Sequence, residues 1–365
     1  MNGQLDFQVR RDDLHTTRWH ESALPQALAE QQVLLRVDAF AFTANNVTYA
    51  VAGDSMHYWQ FFPAESGWGR IPVWGFGDVL ESAHPEISAG ERLYGYFPMS
   101  SHLVIAAGRV SARGLQDVSA HRAGLAAVYN QYARTAADPG YRADAEAAQM
   151  LYRPLFTTSF LLDDFLADND FFGAERVMLT SASSKTSLGL AWLLHARRAD
   201  RVRVVGLTSA TNRDFVTGLG CYDEVVTYES IGDLPRRGSV IVDMAGNGAV
   251  LAAVHDHLGD ALRYSCLVGA THWDARAGAR DMAGPRPQLF FAPAHIERRR
   301  ADWGPAGLEQ RIAEAWDGFV AAAARWIHVE HGRGPADVER IYRRVLDGAA
   351  SPAVGYVLSV HADAG

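Results

Sequence analysis

Lysine is nearly missing from this chain. Of its 34 Lys and Arg residues only Lys185 is a lysine; the other positive charges are arginine. Cysteine is almost as scarce. Cys221 and Cys266 are too few for a disulfide framework or a cysteine-rich structural zinc site, and none precedes residue 221. Basic charge is not in excess: the formal net charge is -8, which argues against a nucleic-acid binder needing a basic face. No apolar run reaches the ~18–20 residues of a membrane span. The opening MNGQLDFQVRRDD is too polar for a signal peptide. These absences lead to the expectation of a protein of the reducing cytoplasm with a small-molecule substrate and no nucleic-acid or membrane partner. There is no internal repeat and no low-complexity tract.

What is present is an ordinary globular composition, 48% hydrophobic over 365 residues. At ~100–200 residues per domain, two domains are expected. The first 110 residues read as short strands. QQVLLRVDAFAFT alternates around Val33, Leu35 and Val37, and VWGFGDVLES, ERLYGYFP and SHLVIAAGRV are aromatic and β-branched runs parted by Gly, Pro and Ser. That spacing points to a small barrel or sandwich. The spacing of AGLAAVYNQYARTA predicts a helix within residues 120–150, stopped at Pro139 and Gly140, with Tyr129 and Tyr132 on one face. From about residue 175, strands (ERVMLTSA, RVRVVGLTS, DEVVTY, SVIVDMAGN, RYSCLVGAT) alternate with helices (SLGLAWLLHARR, NRDFVTGLG, AVLAAVHDHLG). Such alternation means βαβ units and a parallel sheet, the α/β class, with ligands expected at the loops following the strands. Two more helices, GLEQRIAEAWDGFVAAAARWI and GPADVERIYRRVLDG, and a strand, VGYVLSV, complete the chain.

The lone lysine lies in SASSKTSLG, between a strand and a helix. Unpaired N–H groups and the helix dipole favour an anion there. A lysine so early in a helix opposes that dipole unless an anion is near. Its compact charge suits a tight loop better than an arginine fork does. Ser181, Ser183, Ser184, Lys185 and Thr186 are therefore candidate phosphate-binding residues; the alternative is a surface lysine in a helix's first turn. Named motifs are excluded. Leu179 and Ser184 stand at the two glycine positions of a P-loop, Ala182 occupies the serine of Ser-x-x-Lys, and Ser181 the tyrosine of Tyr-x-x-x-Lys. G-x-G-x-x-G is absent, and Gly189 alone matches the glycine of close helix–strand packing. The next strand ends in Thr208, Ser209, Asn212 and Arg213 with no acid before Asp214. An Asp or Glu there would meet a free ribose 2′-OH; hydroxyls and an arginine suit a 2′-phosphate, so the cofactor expected is NADPH. The alternative at Thr211 and Ser209 is a helix cap.

Taken together, these segments resemble the medium-chain dehydrogenase/reductase superfamily in its zinc-free, quinone-oxidoreductase-like branch. Closer still is the resemblance to a poorly characterised offshoot of that branch, a domain of unknown function. It covers nearly the whole chain. QQVLLRVDAFAFTANNVTYAVAG resembles the first strands of the chaperonin-10-like barrel, IPVWGFGDVLESAHPEISAGERLYGYFP its next strand with a G-D-R-V-x-G-like turn, and LTSATNRDFVTGLGCYDEVVTY the second Rossmann strand, with Tyr228 near a 2′-phosphate. VDMAGN and LVGATHW fit later cofactor-side loops, placing Gly246, Gly269 and Ala270 beside the cofactor. The resemblance implies a chaperonin-10-like β-barrel domain plus a Rossmann doubly wound parallel sheet. The barrel takes residues 1–150, the Rossmann domain 151–295, and residues 296–365 return to the barrel. It also implies a homodimer. The departure is the loop: SASSKTSLG stands where the family has G-A-x-G-G-V-G.

Catalytic zinc needs Cys, His or acidic ligands. TANN (Thr43 to Asn46) stands where zinc-binding relatives carry their first ligand, and the four-cysteine lobe is missing, so no metal is expected. A carbonyl would then be polarised by hydrogen-bond donors. Asn46 and Tyr49 fall where zinc-free relatives contact substrate and nicotinamide, Tyr49 being the first candidate to orient the substrate or donate the proton, and His57 is placed to relay a proton. Tyr58, Trp59, Tyr129 and Phe291 are candidate pocket residues, with core packing as the alternative for Tyr49 and its aromatic neighbours. The function expected is NADPH-dependent, zinc-free reduction of a quinone-like or α,β-unsaturated carbonyl compound. The alternatives are a non-catalytic NADPH-binding sensor and a non-redox enzyme on the same scaffold.

Overall fold

A computed structural model describes residues 3–244, 246–268 and 282–362. The chain divides into two compact units, Met1–Leu151 with Ile327–Gly365, and Tyr152–Trp326.

In the first unit β1 (Gly3–Arg10) and β2 (Thr17–Ala23) form a hairpin. β3 (Gln32–Phe42) leads into helix α1 (Ala44–Val51). Then come β4 (Trp68–Gly69), β5 (Pro72–Ser82), β6 (Arg92–Pro98), β7 (His102–Ser111), β8 (Gly114–Asp117) and β9 (Gln131–Arg134). β4 joins β1 and β2 in a small sheet. The long β3 organises the rest. It pairs with β5 along one edge, while its other edge is shared, Gln32–Arg36 pairing with β7 and Phe40–Phe42 with a strand from the C-terminus. The order β3-β5-β6-β9-β8-β7 with the additional β3–β7 pairing closes an antiparallel barrel. Closure pairs each of these six strands on both sides, and residues such as Val33, Leu35, Val37, Val73, Leu93 and Ile105 fill the core.

The helix expected within residues 120–150 is not formed at AGLAAVYNQYARTA. Ala127–Asn130 is a single 3-10 turn and Gln131–Arg134 is β9, pairing with β6 and β8. Sheet pairing overrides local helical spacing: Tyr132 is buried, its ring lies 5.3 Å from that of Phe97, and its hydroxyl donates to the Tyr96 carbonyl at 2.7 Å. Tyr129 and Tyr132 thus share no helical face. The helix in this stretch, α2 (Glu146–Asp168), starts later.

The second unit alternates as expected: β10 (Arg176–Leu179), α3 (Lys185–Arg198), β11 (Arg203–Thr208), α4 (Arg213–Gly218), β12 (Glu224–Thr227), β13 (Ser239–Asp243), α5 (Gly248–Leu258), β14 (Leu262–Leu267) and β15 (Gln288–Leu289), then α6 (Ala292–Trp326). All pairings are parallel, in the order β12-β11-β10-β13-β14-β15. The order reverses between β10 and β13, the switch point at which such sheets bind ligands. At that point Thr180 Oγ1 donates to Asp243 Oδ1 at 2.6 Å and accepts from Met244 N at 2.9 Å.

Gly189 accommodates a close approach, but of another helix rather than a strand: an added Cβ would lie 2.7 Å from Ser159 Oγ of α2. α6, broken at Gly304, stays with the second unit because Trp316 and Phe319 pack on Phe156 of α2. The segment 296–326, given by the sequence to the returning part, therefore belongs here, and the return begins at Ile327. It supplies β16 (His328–Arg333), α7 (Gly334–Leu346) and β17 (Val354–Ser359), and β17 docks on β3. Among the described residues no helix is long and apolar enough to cross a membrane.

Candidate active site

The loop between β10 and α3 is built by its own hydroxyls. Ser184, extended at φ -74° and ψ 148°, caps α3 by accepting from Ser187 N. Ser187 Oγ donates to the Thr180 carbonyl at 2.8 Å, and Ser159 Oγ to the Thr186 carbonyl at 2.8 Å. Ser181 takes a left-handed φ of 45°, and its N–H donates to the Tyr228 hydroxyl at 3.2 Å. The side chains thus fix the loop, while the N–H groups of Lys185 and Thr186 make no hydrogen bond among the described residues. They are the orphan donors of a helix start.

Lys185 is half-buried and has no carboxylate within ion-pair distance among the described residues. Its ammonium lies 5.9 Å from the ring centre of Tyr152, and burial pulls its pKa down to about 8. The Tyr152 hydroxyl is buried without a hydrogen-bond partner among the described residues. A cation held at the positive end of a helix without a counter-charge is unfavourable alone and becomes favourable beside an anion.

The end of β11 supplies buried Thr208 and half-buried Ser209, and Asn212 Nδ2 reaches back to Ser183 Oγ at 3.2 Å. Arg213 goes elsewhere: it is exposed and lines an open cleft of about 170 Å³ with Glu224, Thr227, Ser230 and Asp233. Gly246 is exposed in a left-handed turn at φ 65°; Gly269 and Ala270 lie outside the described residues.

In the barrel unit a cluster of tyrosines forms around β5, β6 and α1. Tyr49 lies 4.6 Å from Tyr58, Tyr129 lies 4.6 Å from Tyr96 and 5.7 Å from Tyr58, and Phe61 and Trp74 adjoin Tyr129 at 5.3 and 6.0 Å, all centre to centre. The Tyr58 and Tyr129 hydroxyls are 3.3 Å apart. Burial pushes Tyr49 up to about 12 and holds Tyr58, Tyr96 and Tyr129 above the ordinary phenol value. These phenols stay protonated at neutral pH and so are donors. The Tyr96 hydroxyl is buried with no hydrogen-bond partner among the described residues, while Tyr129 is only half-buried.

Sequence candidates divide sharply. Tyr49, Tyr58 and Tyr129 come together. Asn46 is occupied structurally: Oδ1 accepts from Thr43 N at 2.8 Å, and Nδ2 donates to the Pro72 carbonyl at 3.0 Å. Trp59 is buried against glycine backbone, since a Cβ on Gly53 or Gly69 would lie 2.1 or 2.5 Å from its ring. It is a packing residue rather than part of a pocket. His57 is exposed in a left-handed turn and contacts Gln60 at 3.1 Å, outside the tyrosine cluster. Phe291 is 60% exposed in the second unit, and its neighbour Phe290 is the one that packs, stacked on His295 at 4.2 Å. Sequence reading missed Trp74 and Tyr96. Their signal was the alternation of aromatics in VWGF and YGYF, which the β5–β6 register pairs as Trp74 with Tyr96 and Phe76 with Tyr94. Among the described residues no three His, Cys, Asp or Glu side chains gather as a metal site would require.

The second unit's residues fit a phosphorylated dinucleotide. Two N–H groups and a Lys185 that have no partner among the described residues match a phosphate at the α3 start, and β11 ends without the acid that would repel a 2′-phosphate.

A model of the family described as "Protein of unknown function (DUF2855)" matches residues 40–351. No curated protein matches the chain. Solved structures share its fold. A protein assigned as an NADPH:quinone reductase from Mesorhizobium loti is 13% identical with a TM-score of 0.59, covering 98% of each chain. A mutant enoyl thioester reductase from Candida tropicalis is 9% identical with a TM-score of 0.55, covering 98% of this chain and 100% of that one. The yhdH oxidoreductase from Salmonella enterica, solved in complex with NADP, is 15% identical with a TM-score of 0.54, covering 98% and 99%. At such identities the likeness establishes the barrel-plus-Rossmann fold.

Proposed function

The chain belongs to the DUF2855 family, and we propose that it is an NADPH-dependent reductase of a quinone-like or α,β-unsaturated carbonyl compound. The observation that carries this reading is Lys185, the chain's sole lysine, unpaired among the described residues at the start of α3 where two N–H groups also await an acceptor. The shared fold with an NADP complex and with quinone and enoyl reductases supports it.

NADPH, when bound, supplies the hydride. Lys185 and the N–H groups of Lys185 and Thr186 hold a phosphate, and Ser183, Thr208, Ser209, Asn212 and Tyr228 are the candidates for the ribose side. Tyr129, the most accessible phenol of the cluster, donates a hydrogen bond to the substrate oxygen and then its proton. Tyr58, 3.3 Å away, replaces that proton along the pair and takes one back from water. One hydride and one proton together reduce a C=C bond, or turn a quinone into its hydroquinone.

The rings of the tyrosine cluster close on one another, at 4.6 to 6.2 Å between centres. That favours, as a second reading, a protein that binds NADPH without turnover. Thermal-shift titration of wild type and Lys185→Ala with NADPH, NADH and NADP⁺ tests the cofactor. A ligand at ~100 times its Kd adds about 2.7 kcal/mol, an easily read shift. NADPH should shift wild type, NADH should not, and the variant should lose the shift; no shift in wild type overturns the assignment. Oxidation of NADPH with 9,10-phenanthrenequinone as acceptor then separates reductase from sensor.

A further inference from the structure

Arg122 and Asp117 form an ion pair in the barrel unit with side chains only 1% and 2% exposed, Nε to Oδ2 2.9 Å. Such a pair is expensive to desolvate, and apolar residues of similar volume would stabilise a core at least as well. Its geometry indicates what it does instead. Asp117 ends β8 and is itself fixed, its Oδ1 accepting from Ser119 N at 3.0 Å and Ala106 N at 3.2 Å. The Arg122 guanidinium lies over the rings of Phe62 at 4.7 Å and Phe61 at 5.5 Å. Its Nη1 donates to the Tyr129 carbonyl and to Asn130 Oδ1, both at 3.2 Å. The chain between, residues 123–128, is exposed or half-exposed, with Val128 42% exposed. The turn bearing Tyr129 is therefore fastened at its base by one planar fork that also carries Phe61, a wall of the tyrosine cluster.

We propose that Arg122 is a positioning residue. Anchored by Asp117, it clamps the backbone of Tyr129 and sets the Tyr129 hydroxyl against that of Tyr58. This assignment rests on the reductase reading for its catalytic consequence, but the clamp itself is a statement about Tyr129. A lysine at 122 would keep the charge and lose the fork.

The test uses full-length protein carrying 3-fluorotyrosine, with the fluorine signals of Tyr58, Tyr129 and Tyr342, which packs on Phe7 and Phe42, assigned by single Tyr→Phe variants. The double variant Asp117→Asn/Arg122→Met removes the clamp without leaving a lone buried charge. Its Tyr129 signal should shift and broaden while that of Tyr342 stays. Turnover of 9,10-phenanthrenequinone should fall about 10–100-fold in kcat, as for a misplaced reacting group, with the KM for NADPH unchanged. Arg122→Lys should behave likewise, and it carries the test if the double variant fails to fold. An unchanged Tyr129 signal with wild-type kcat in either variant overturns the proposal. If wild type turns over no quinone, the reductase reading falls and the fluorine signal alone decides the clamp.

Discussion

The tyrosine cluster of the barrel and the serine–lysine loop of the parallel sheet solve opposite problems. In the barrel, polar atoms ride on large rings, so the rings fix the geometry: the Tyr58 and Tyr129 hydroxyls pair, and that of Tyr96 has no partner among the described residues. In the loop, small hydroxyls tie down the backbone, and what remains unsatisfied among the described residues is the backbone N–H of Lys185 and Thr186 together with one ammonium. The lesson is that chemical potential sits with the groups left over after folding. Asn46 and Trp59 look functional in the sequence and are consumed by structure, whereas Tyr96 looks like an ordinary strand residue and keeps an unmatched hydroxyl.

The strongest test of this division is Trp59→Ala. A packing tryptophan removed from between glycines should lower stability by about 3–5 kcal/mol, read from urea unfolding. NADPH should still shift the thermal midpoint. A near-neutral change in stability coupled to loss of turnover would return Trp59 to the pocket.

Next in size is Lys185→Met followed across pH. The native pKa, near 8, lies below the unfolded value of 10.5, so between these values the unfolded chain binds more protons and stability rises with pH. The lysine therefore costs stability at pH 7, by about 1–3 kcal/mol after allowing for its partial exposure, and the cost fades toward pH 10.5. The methionine variant should be the more stable at pH 7, with the gap narrowing at pH 10; a constant gap would sink the idea. NADPH affinity of wild type should weaken as pH rises above 8 and the ammonium is lost.

Tyr58→Phe should remove about 0.5–1.5 kcal/mol, the net worth of one hydrogen bond, while lowering kcat through Tyr129. Unaltered kcat would separate the pair from the chemistry. Least of all, Ser181→Gly should relieve the left-handed φ of 45° and raise stability by up to about 1 kcal/mol, the strain being partly offset by glycine's entropy. A lowered thermal midpoint would mean that the serine side chain contributes more than the strain removes.

Much of the second unit was legible because local rules suffice there. β10 through β14 are short apolar or β-branched runs alternating with helical segments, and two of the helices between them carry a side-chain cap, Ser184 on α3 and Asn247 on α5. The barrel was harder. β9 hides in a helical spacing because only pairing with β6 and β8 makes Tyr132 a strand residue. Arg213, a natural partner for a 2′-phosphate by its place after β11, instead lines a cleft beside Glu224 and Asp233. The loop's Lys185 was identifiable at once, since a lone lysine on a helix start conflicts with the dipole unless something anionic is near.

The sequence by itself determined the α/β alternation, the strand-rich first part and the loop at which an anion would bind, because periodicity, caps and charge are properties of neighbours along the chain. Only the tertiary structure decided that β3 and β7 close a barrel, that the return begins at Ile327, and which tyrosines meet. Those are contacts between residues tens to hundreds of positions apart, set by how buried rings and sheet edges fit together, and no local pattern encodes them.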